Sequence, residues 1–200
     1  MDFMQSQTIL NLGRSFAGES QARNRYDSYA KQARTEGEEY LARMFEHTSA
    51  NEKIHAQEYW EMMVKLAGKP INNLKFEAGY PYQIGNTAQN LQFAADAEID
   101  EYANVYPAFA QIAKEEGFPE AATLWKMIAQ IEGVHHTVFQ QAQEEFTQKT
   151  LYKKEQPKVW RCINCGHVHQ GLEPWKICPV CHKEQGWVMG YVNTKVMPSN

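Results

Sequence analysis

Apolar positions recur with the 3.6-residue period of a helix through most of the first 150 residues, and that period is lost afterwards. Ile9, Leu12, Phe16, Ala22, Tyr26 and Ala33 form one stripe and predict a helix over 5–34. Leu41, Phe45, Thr48, Tyr59, Met62 and Leu66 form a second and predict a helix over 38–66, with Gly37 placed to stop the first. The stretch from Gly68-Lys69-Pro70 to Gly85-Asn86 is rich in breakers and too long for a turn, so it is expected to cross the bundle. Two more helices are predicted over 87–116 and 119–147, parted by Gly117 and restarted by Pro119.

The helical part repeats itself. Shifted by 80 residues, Tyr26/Tyr106, Ala30/Ala110, Ala33/Ala113, Glu36/Glu116, Gly37/Gly117, Ala42/Ala122, Phe45/Trp125, Glu52/Glu132 and His55/His135 coincide. Two related helix pairs about a pseudo-twofold axis would set matching residues face to face. The expected architecture is mainly α: a four-helix bundle over 1–150 and a small β-rich C-terminal domain over 156–195.

Several polar residues interrupt the apolar stripes. Glu19 lies on the inward row of the first helix, Glu52 and His55 on that of the second, Glu98 and Glu101 on the third, and Glu132 and His135 on the fourth. Residues three apart on a helix share a face and can grip one object. Five carboxylates and two imidazoles gathered in a core would repel or protonate unless cations sat among them. An inward Glu on one helix of each pair and Glu-x-x-His on the other is the pattern of ferritin-like di-metal carboxylate proteins. Oxygen and imidazole donors suit iron or manganese, and geometry alone leaves zinc open. Tyr26, Tyr102 and Tyr106 are placed either to hydrogen-bond the carboxylates or to pack in the core. His136 and His47 fall off the site stripe.

After Lys153-Lys154-Glu155-Gln156-Pro157, a linker, come all four cysteines of the chain. Cys162-x-x-Cys165 and Cys178-x-x-Cys181 supply four thiolates at the spacing of a tetrahedral metal site, which suits zinc and iron alike. His167, His169 and His182 are expected to be exposed, and Trp160, Trp175, Trp187 and Tyr191 to form the small domain's aromatic core. Confinement of the cysteines to one knot argues for a reducing compartment rather than a disulfide scaffold. The N-terminus lacks the basic start and apolar core of a signal peptide, and no run is apolar enough to span a membrane, so a cytoplasmic location is expected.

Net charge is −4, against nucleic-acid binding. Residues 1–150 hold 13 Lys and Arg against 21 Asp and Glu, whereas 151–200 hold 7 against 3. The two parts carry opposite balances that would favour their contact.

Phe16-Ala-Gly-Glu-Ser-Gln-Ala-Arg-Asn-Arg-Tyr26, Asn51-Glu-Lys-Ile-His-Ala56, Glu98-Ile-Asp-Glu101, Glu132-Gly-Val-His135, Val159-Trp-Arg-Cys-Ile-Asn-Cys-Gly166 and Cys178-Pro-Val-Cys181 together resemble the rubrerythrins. The resemblance runs over about residues 5–192. It implies a ferritin-like bundle with a di-iron site on Glu19, Glu52, His55, Glu98, Glu101, Glu132 and His135. It also implies a rubredoxin-like domain with one iron on Cys162, Cys165, Cys178 and Cys181. The implied activity is reduction of hydrogen peroxide to water in oxidative-stress defence, by a homodimer or larger assembly. One iron would shift between Glu101 and His55, the two catalytic residues. Electrons would come from NAD(P)H through a rubredoxin or reductase, and the cysteine-bound iron of one subunit would serve the di-iron site of another. An iron store, a structural bundle with a zinc ribbon, and an oxygenase are the rivals. An iron ratio far above three per chain, or a colourless protein, would favour the first or second.

Overall fold

The computed structural model describes residues 2–191. Met197 to Asn200, which read as an unstructured end, and the side chain of Tyr191 lie outside the described residues, as does the end of the second domain beyond 191. After a short 3₁₀ turn, the chain forms α1 (Gln7–Thr35), α2 (Glu39–Ala67), α3 (Thr87–Asp100), α4 (Tyr106–Glu116) and α5 (Pro119–Thr147). The third predicted helix is interrupted: Glu101–Val105 form a π turn between α3 and α4, closed by the Tyr106 N–H donating to the Glu101 carbonyl. Gly37 and Gly117 stop α1 and α4 with φ of 86° and 89°, a region open to glycine at no steric penalty.

Residues 68–86 run back along α1. Tyr80 donates to the Arg14 carbonyl at 2.8 Å, Arg14 donates to that of Glu77 at 2.9 Å, and Tyr29 to that of Gln83 at 2.7 Å. The crossing strap therefore rests on side chains whose backbone partners lie 54–66 residues away.

The helix starts are tied across the repeat. Glu116, at the end of α4, accepts from the Gln7 and Thr8 N–H groups at 2.8 Å, and Glu36, just past α1, accepts from the Thr87 N–H at 3.1 Å. Each carboxylate satisfies orphan donors at the start of its pseudo-symmetric counterpart and sits at the positive end of that helix dipole.

Two apolar clusters fill the bundle. One, towards the α1–α2 turn, holds Tyr26, Tyr29, Leu41, Phe45, Leu91 and Phe139. The other, towards the N-terminus, holds Ile9, Leu12, Tyr59, Tyr106, Trp125 and Ile128. Phe16, assigned to the first stripe, is instead 39% exposed; its neighbour Ser15 turns inward and accepts a hydrogen bond from the buried indole of Trp125.

The C-terminal domain is a three-stranded antiparallel sheet, β1 (Lys158–Cys162), β2 (Val168–Gly171) and β3 (Val188–Tyr191), with β1 central. Only Trp160 of its tryptophans is fully buried, its indole donating to the Gly171 carbonyl. Trp175 lies tilted against half-buried His167, their ring centres 4.8 Å apart, and Trp187 turns to the bundle, where the Arg43 guanidinium lies 5.2 Å from its ring. The expected aromatic core is thus spread over three surfaces. Gly186 packs so close to Gly37 that a Cβ there would lie 1.9 Å from its carbonyl oxygen, and Tyr152 donates to Glu38 at 2.6 Å. The small domain sits on the α1–α2 turn of its own bundle.

Candidate metal centres

Between the two apolar clusters lies one polar layer. Glu19, Glu52, Glu98 and Glu132 are 0–1% exposed, and His55 and His135 are 5% and 7% exposed. Helical spacing puts them there, since each continues the inward row of its own helix. The ligand atoms of Glu19, Glu52, His55 and Glu132 lie within 4.8 Å of one another, and so do those of Glu52, Glu98, Glu132 and His135.

Glu52 and Glu132 belong to both groups and divide their oxygens between them. His55 Nδ1 is 2.9 Å from Glu52 Oε2 and 3.0 Å from Glu132 Oε1; His135 Nδ1 is 3.2 Å from Glu52 Oε1 and 2.7 Å from Glu132 Oε2. Donors held about 2.0–2.2 Å from a common ion are separated by roughly these distances. Glu101 stands outside both groups, on the first residue of the π turn.

The outer hydrogen bonds come from both clusters. Tyr26 donates to Glu98, and Tyr106 donates to Glu19 at 2.6 Å. Burial first, then the carboxylate charges, pushes both phenols well above their ordinary value, so they remain donors. The third tyrosine proposed from the sequence, Tyr102, is 38% exposed and packs on Gly133, with no hydrogen bond to a site carboxylate among the described residues. The π turn has carried it off the inward face. Asn51, which the sequence reading passed over, faces the second ring nitrogen of His135 at 3.3 Å. His136 makes a backbone contact with Ala95, consistent with packing.

The electrostatics demand cations. Two like charges 4 Å apart repel by about 4 kcal/mol at an effective dielectric of 20. Accordingly, burial and then the neighbouring Glu132, Glu52 and Glu101 raise Glu19 well above the carboxylate range; burial and Glu52 push Glu98 up to about 8. His55 reaches about 9 despite burial, because the carboxylates of Glu132 and Glu52 lie 3.0 Å and 2.9 Å from its Nδ1. Glu19 Oε2, Glu52 Oε1, Glu98 Oε2, both oxygens of Glu132 and His135 Nδ1 are buried with no hydrogen-bond partner. Those orphaned atoms point into the layer and fit a pair of divalent ions, each with oxygen donors and one imidazole.

The second centre is built from two matching knuckles. Cys162 N–H donates to the His167 carbonyl and Gly166 N–H to that of Cys162; Cys178 N–H donates to the Lys183 carbonyl and His182 N–H to that of Cys178. Gly166 and His182 occupy the same left-handed position, at φ of 79° and 57°. Sγ atoms of Cys162 and Cys181 are 3.6 Å apart and those of Cys165 and Cys178 3.7 Å. Such separations are far beyond a disulfide and near the roughly 3.8 Å edge of a tetrahedron with 2.3 Å arms. A hydrogen bond from Asn164 and the Lys183 N–H hold the Cys181 thiol down at about 6, favouring the thiolate.

A four-helix bundle whose inner layer is two Glu-x-x-His pairs plus flanking glutamates defines a ferritin-like di-metal carboxylate protein, here joined to a four-cysteine knot. Residues 11–143 match the family model for rubrerythrin, and 160–186 match the rubrerythrin rubredoxin-like domain. The chain is 38% identical over 184 residues to rubrerythrin of Clostridium perfringens, covering 91% of this chain and 93% of that one. It is 37% identical over 177 residues to rubrerythrin of Nitratidesulfovibrio vulgaris, covering 88% and 90%. A solved structure of nigerythrin in a partially reduced state superposes with a TM-score of 0.62 at 28% identity, covering 96% of this chain and 94% of that one. The chain belongs to the rubrerythrin family. It is an oxidoreductase with a di-iron carboxylate site and a rubredoxin-like iron site. No helix among the described residues is long and apolar enough to cross a membrane.

Proposed function

We propose that the chain reduces hydrogen peroxide to water in the cytoplasm, as an oxidative-stress peroxidase fed through its four-cysteine centre. The observation that carries this reading is the shared use of Glu52 and Glu132 by two ligand groups 4.8 Å or less across. When bound there, two ferrous ions supply one electron each to a peroxide. Glu19, Glu52, His55 and Glu132 would hold one ion, and Glu52, Glu98, Glu132 and His135 the other. Glu101 would be the alternative ligand to His55.

The remaining work falls to side chains. Burial, then the charges of Glu98, Glu132 and Glu52, raise the Glu101 carboxyl well above its ordinary value, which favours its protonated form. Standing at the edge of the layer, it can pass that proton to a departing oxygen. Tyr106 and Tyr26 fix Glu19 and Glu98, and Asn51 holds the His135 ring so that Nδ1 faces inward. The apolar clusters above and below shield the layer from water.

Cys162, Cys165, Cys178 and Cys181 hold the iron that returns electrons one at a time from an external donor, a rubredoxin or an NAD(P)H-dependent reductase. A second copy of the chain is part of the assembly. Met127, Ile131, Val134 and Val138 line one outward face of α5 at 63%, 40%, 61% and 39% exposure, a stripe suited to burial against another subunit. Stopped-flow mixing of anaerobic, iron-loaded, reduced protein tests the activity. Peroxide should oxidise the diferrous site much faster than dioxygen does; the reverse order defeats the proposal.

A further inference from the structure

A cavity of about 410 Å³ opens between α1, the crossing strap and the α3–π–α4 segment, and Glu101 and Tyr106 lie on its wall. Hydrogen peroxide needs about the room of two water molecules, roughly 60 Å³. The space is several times larger and lies in the range of pockets that enclose small organic ligands. Phe93, Ala97, Val105 and Phe109 give it an apolar side.

The buried cation of the same wall is Arg25. Its side chain lines the cavity, the residue is 8% exposed, and its Nε and Nη1 have no hydrogen-bond partner. A buried guanidinium left with free donors calls for an oxygen acceptor in front of it. The carboxylates at the exposed rim do not fill that role. Asp96 accepts from Gln92 at 2.8 Å, Asp100 from Asn104 at 2.8 Å, and neither pairs with Arg25 among the described residues. Their charges offset those of Arg25 and of Arg14, which also lines the cavity, and so favour a neutral guest over an anionic one.

We propose that this cavity admits neutral organic hydroperoxides, with the alkyl or aryl group on the apolar wall and the peroxide oxygens between Arg25 and Glu101. The inference rests on the peroxidase reading above and names its substrate class. The O–O bond of ROOH breaks on taking up two electrons and two protons, giving ROH and water; the electrons come from the ferrous pair, which the one-electron donor restores. Arg25 donates to the oxygen that leaves as the alcohol and so is a binding residue for it.

Two readouts on the full chain test this. In the first, reduced, iron-loaded protein is mixed anaerobically with cumene hydroperoxide and with hydrogen peroxide. The two second-order rate constants should agree within about tenfold, and Ala97→Phe should lower their ratio, cumene hydroperoxide over hydrogen peroxide, by tenfold or more. In the second, saturation-transfer NMR follows 2-phenyl-2-propanol, the alcohol product, on the oxidised protein. Its contact signal should be present and should weaken in Ala97→Phe and in Arg25→Gln. Rapid oxidation by hydrogen peroxide with cumene hydroperoxide slower by a hundredfold overturns the inference alone, as does an absent alcohol contact on the wild-type chain. Failure of hydrogen peroxide itself to oxidise the site defeats the peroxidase reading, and the NMR contact then still decides whether the cavity takes the organic guest.

Discussion

At the scale of single residues, the site is a set of charges that cannot share a core without metal. In the metal-free chain protons stand in for the ions. Glu98 rises to about 8, by burial and then the charge of Glu52, and His55 rises to about 9 as its carboxylate partners outweigh burial. A group raised on folding lends stability below its unfolded value and withdraws it as pH passes its folded value. The metal-free bundle should therefore lose stability steadily between about pH 4.5 and 9, the span set by those two groups. Glu52, lowered to about 2 as His135 and His55 outweigh its burial, acts in the opposite sense and only at lower pH. Calorimetric melting at pH 5.5 and 8.5 should give the lower Tm at 8.5 without iron. With iron bound, which displaces the protons, the order should vanish or invert; a flat metal-free profile contradicts the argument. Tyr106→Phe removes the 2.6 Å bond to Glu19 and leaves a buried carboxylate oxygen unpaired. The expected loss is about tenfold or more in iron retention against a chelator, with little change in helix content by circular dichroism.

At the scale of elements, the π turn is the feature that the sequence reading missed, and the sequence does contain its mark. Thr8/Thr87, Asn11/Asn90, Leu12/Leu91 and Glu19/Glu98 are pairs 79 apart, whereas Tyr26/Tyr106, Ala30/Ala110 and Glu36/Glu116 are 80 apart. The extra residue enters between Glu98 and Tyr106, where the π turn Glu101–Val105 absorbs it. A π turn is how a helix accommodates one added residue without breaking, and such turns gather at functional sites. Glu101, at its start, has no carboxylate counterpart on α1, where Gln21 and Ala22 stand 80 and 79 residues before it. The four helices, the clustering of six carboxylate and imidazole side chains and the cysteine knot were legible because period and spacing encode them directly. Tyr102 and the domain contacts of Trp187 were not, because one depends on a local change of helical phase and the other on tertiary docking. Deleting Ala103 should restore a continuous α-helix with Glu98 and Tyr106 seven residues apart, the spacing at which Glu19 and Tyr26 both face the layer from the unbroken α1. What the deletion removes is the π turn that carries Glu101. The deletion protein should keep its helical circular dichroism and all of its iron by elemental analysis, while hydrogen peroxide oxidises its reduced site about tenfold or more slowly in stopped-flow mixing. An unchanged rate in that protein would show the π turn to be dispensable.

At the scale of the whole molecule, the two centres of one chain stand far apart. The small domain meets the bundle at Gly37 and Arg43, through Gly186, Ile163 and Trp187. Glu19 lies 18 residues before Gly37, about 27 Å along α1, and Glu52 nine residues after Arg43, about 14 Å along α2 with the Arg43 side chain and the knuckle still beyond it. Electron transfer through protein falls steeply with distance, so delivery within one chain would be slow. A second copy packed antiparallel along α5 would carry its own small domain to the first copy's metal layer. Complementation separates the two routes. One variant, Cys162→Ser with Cys165→Ser, lacks the cysteine-bound iron; another, Glu52→Ala with Glu132→Ala, lacks the iron pair. Each alone should be inactive with an external donor. Refolded together at equal amounts into twofold dimers, half would be mixed, and each mixed dimer would hold one working pair, restoring about a quarter of wild-type turnover. Val134→Glu, placed on the apolar stripe of α5, should abolish that recovery in both partners while each chain still binds its own metal. Mixed dimers that form, as seen by mass spectrometry, yet remain inactive would mean that electrons reach the iron pair without leaving the chain.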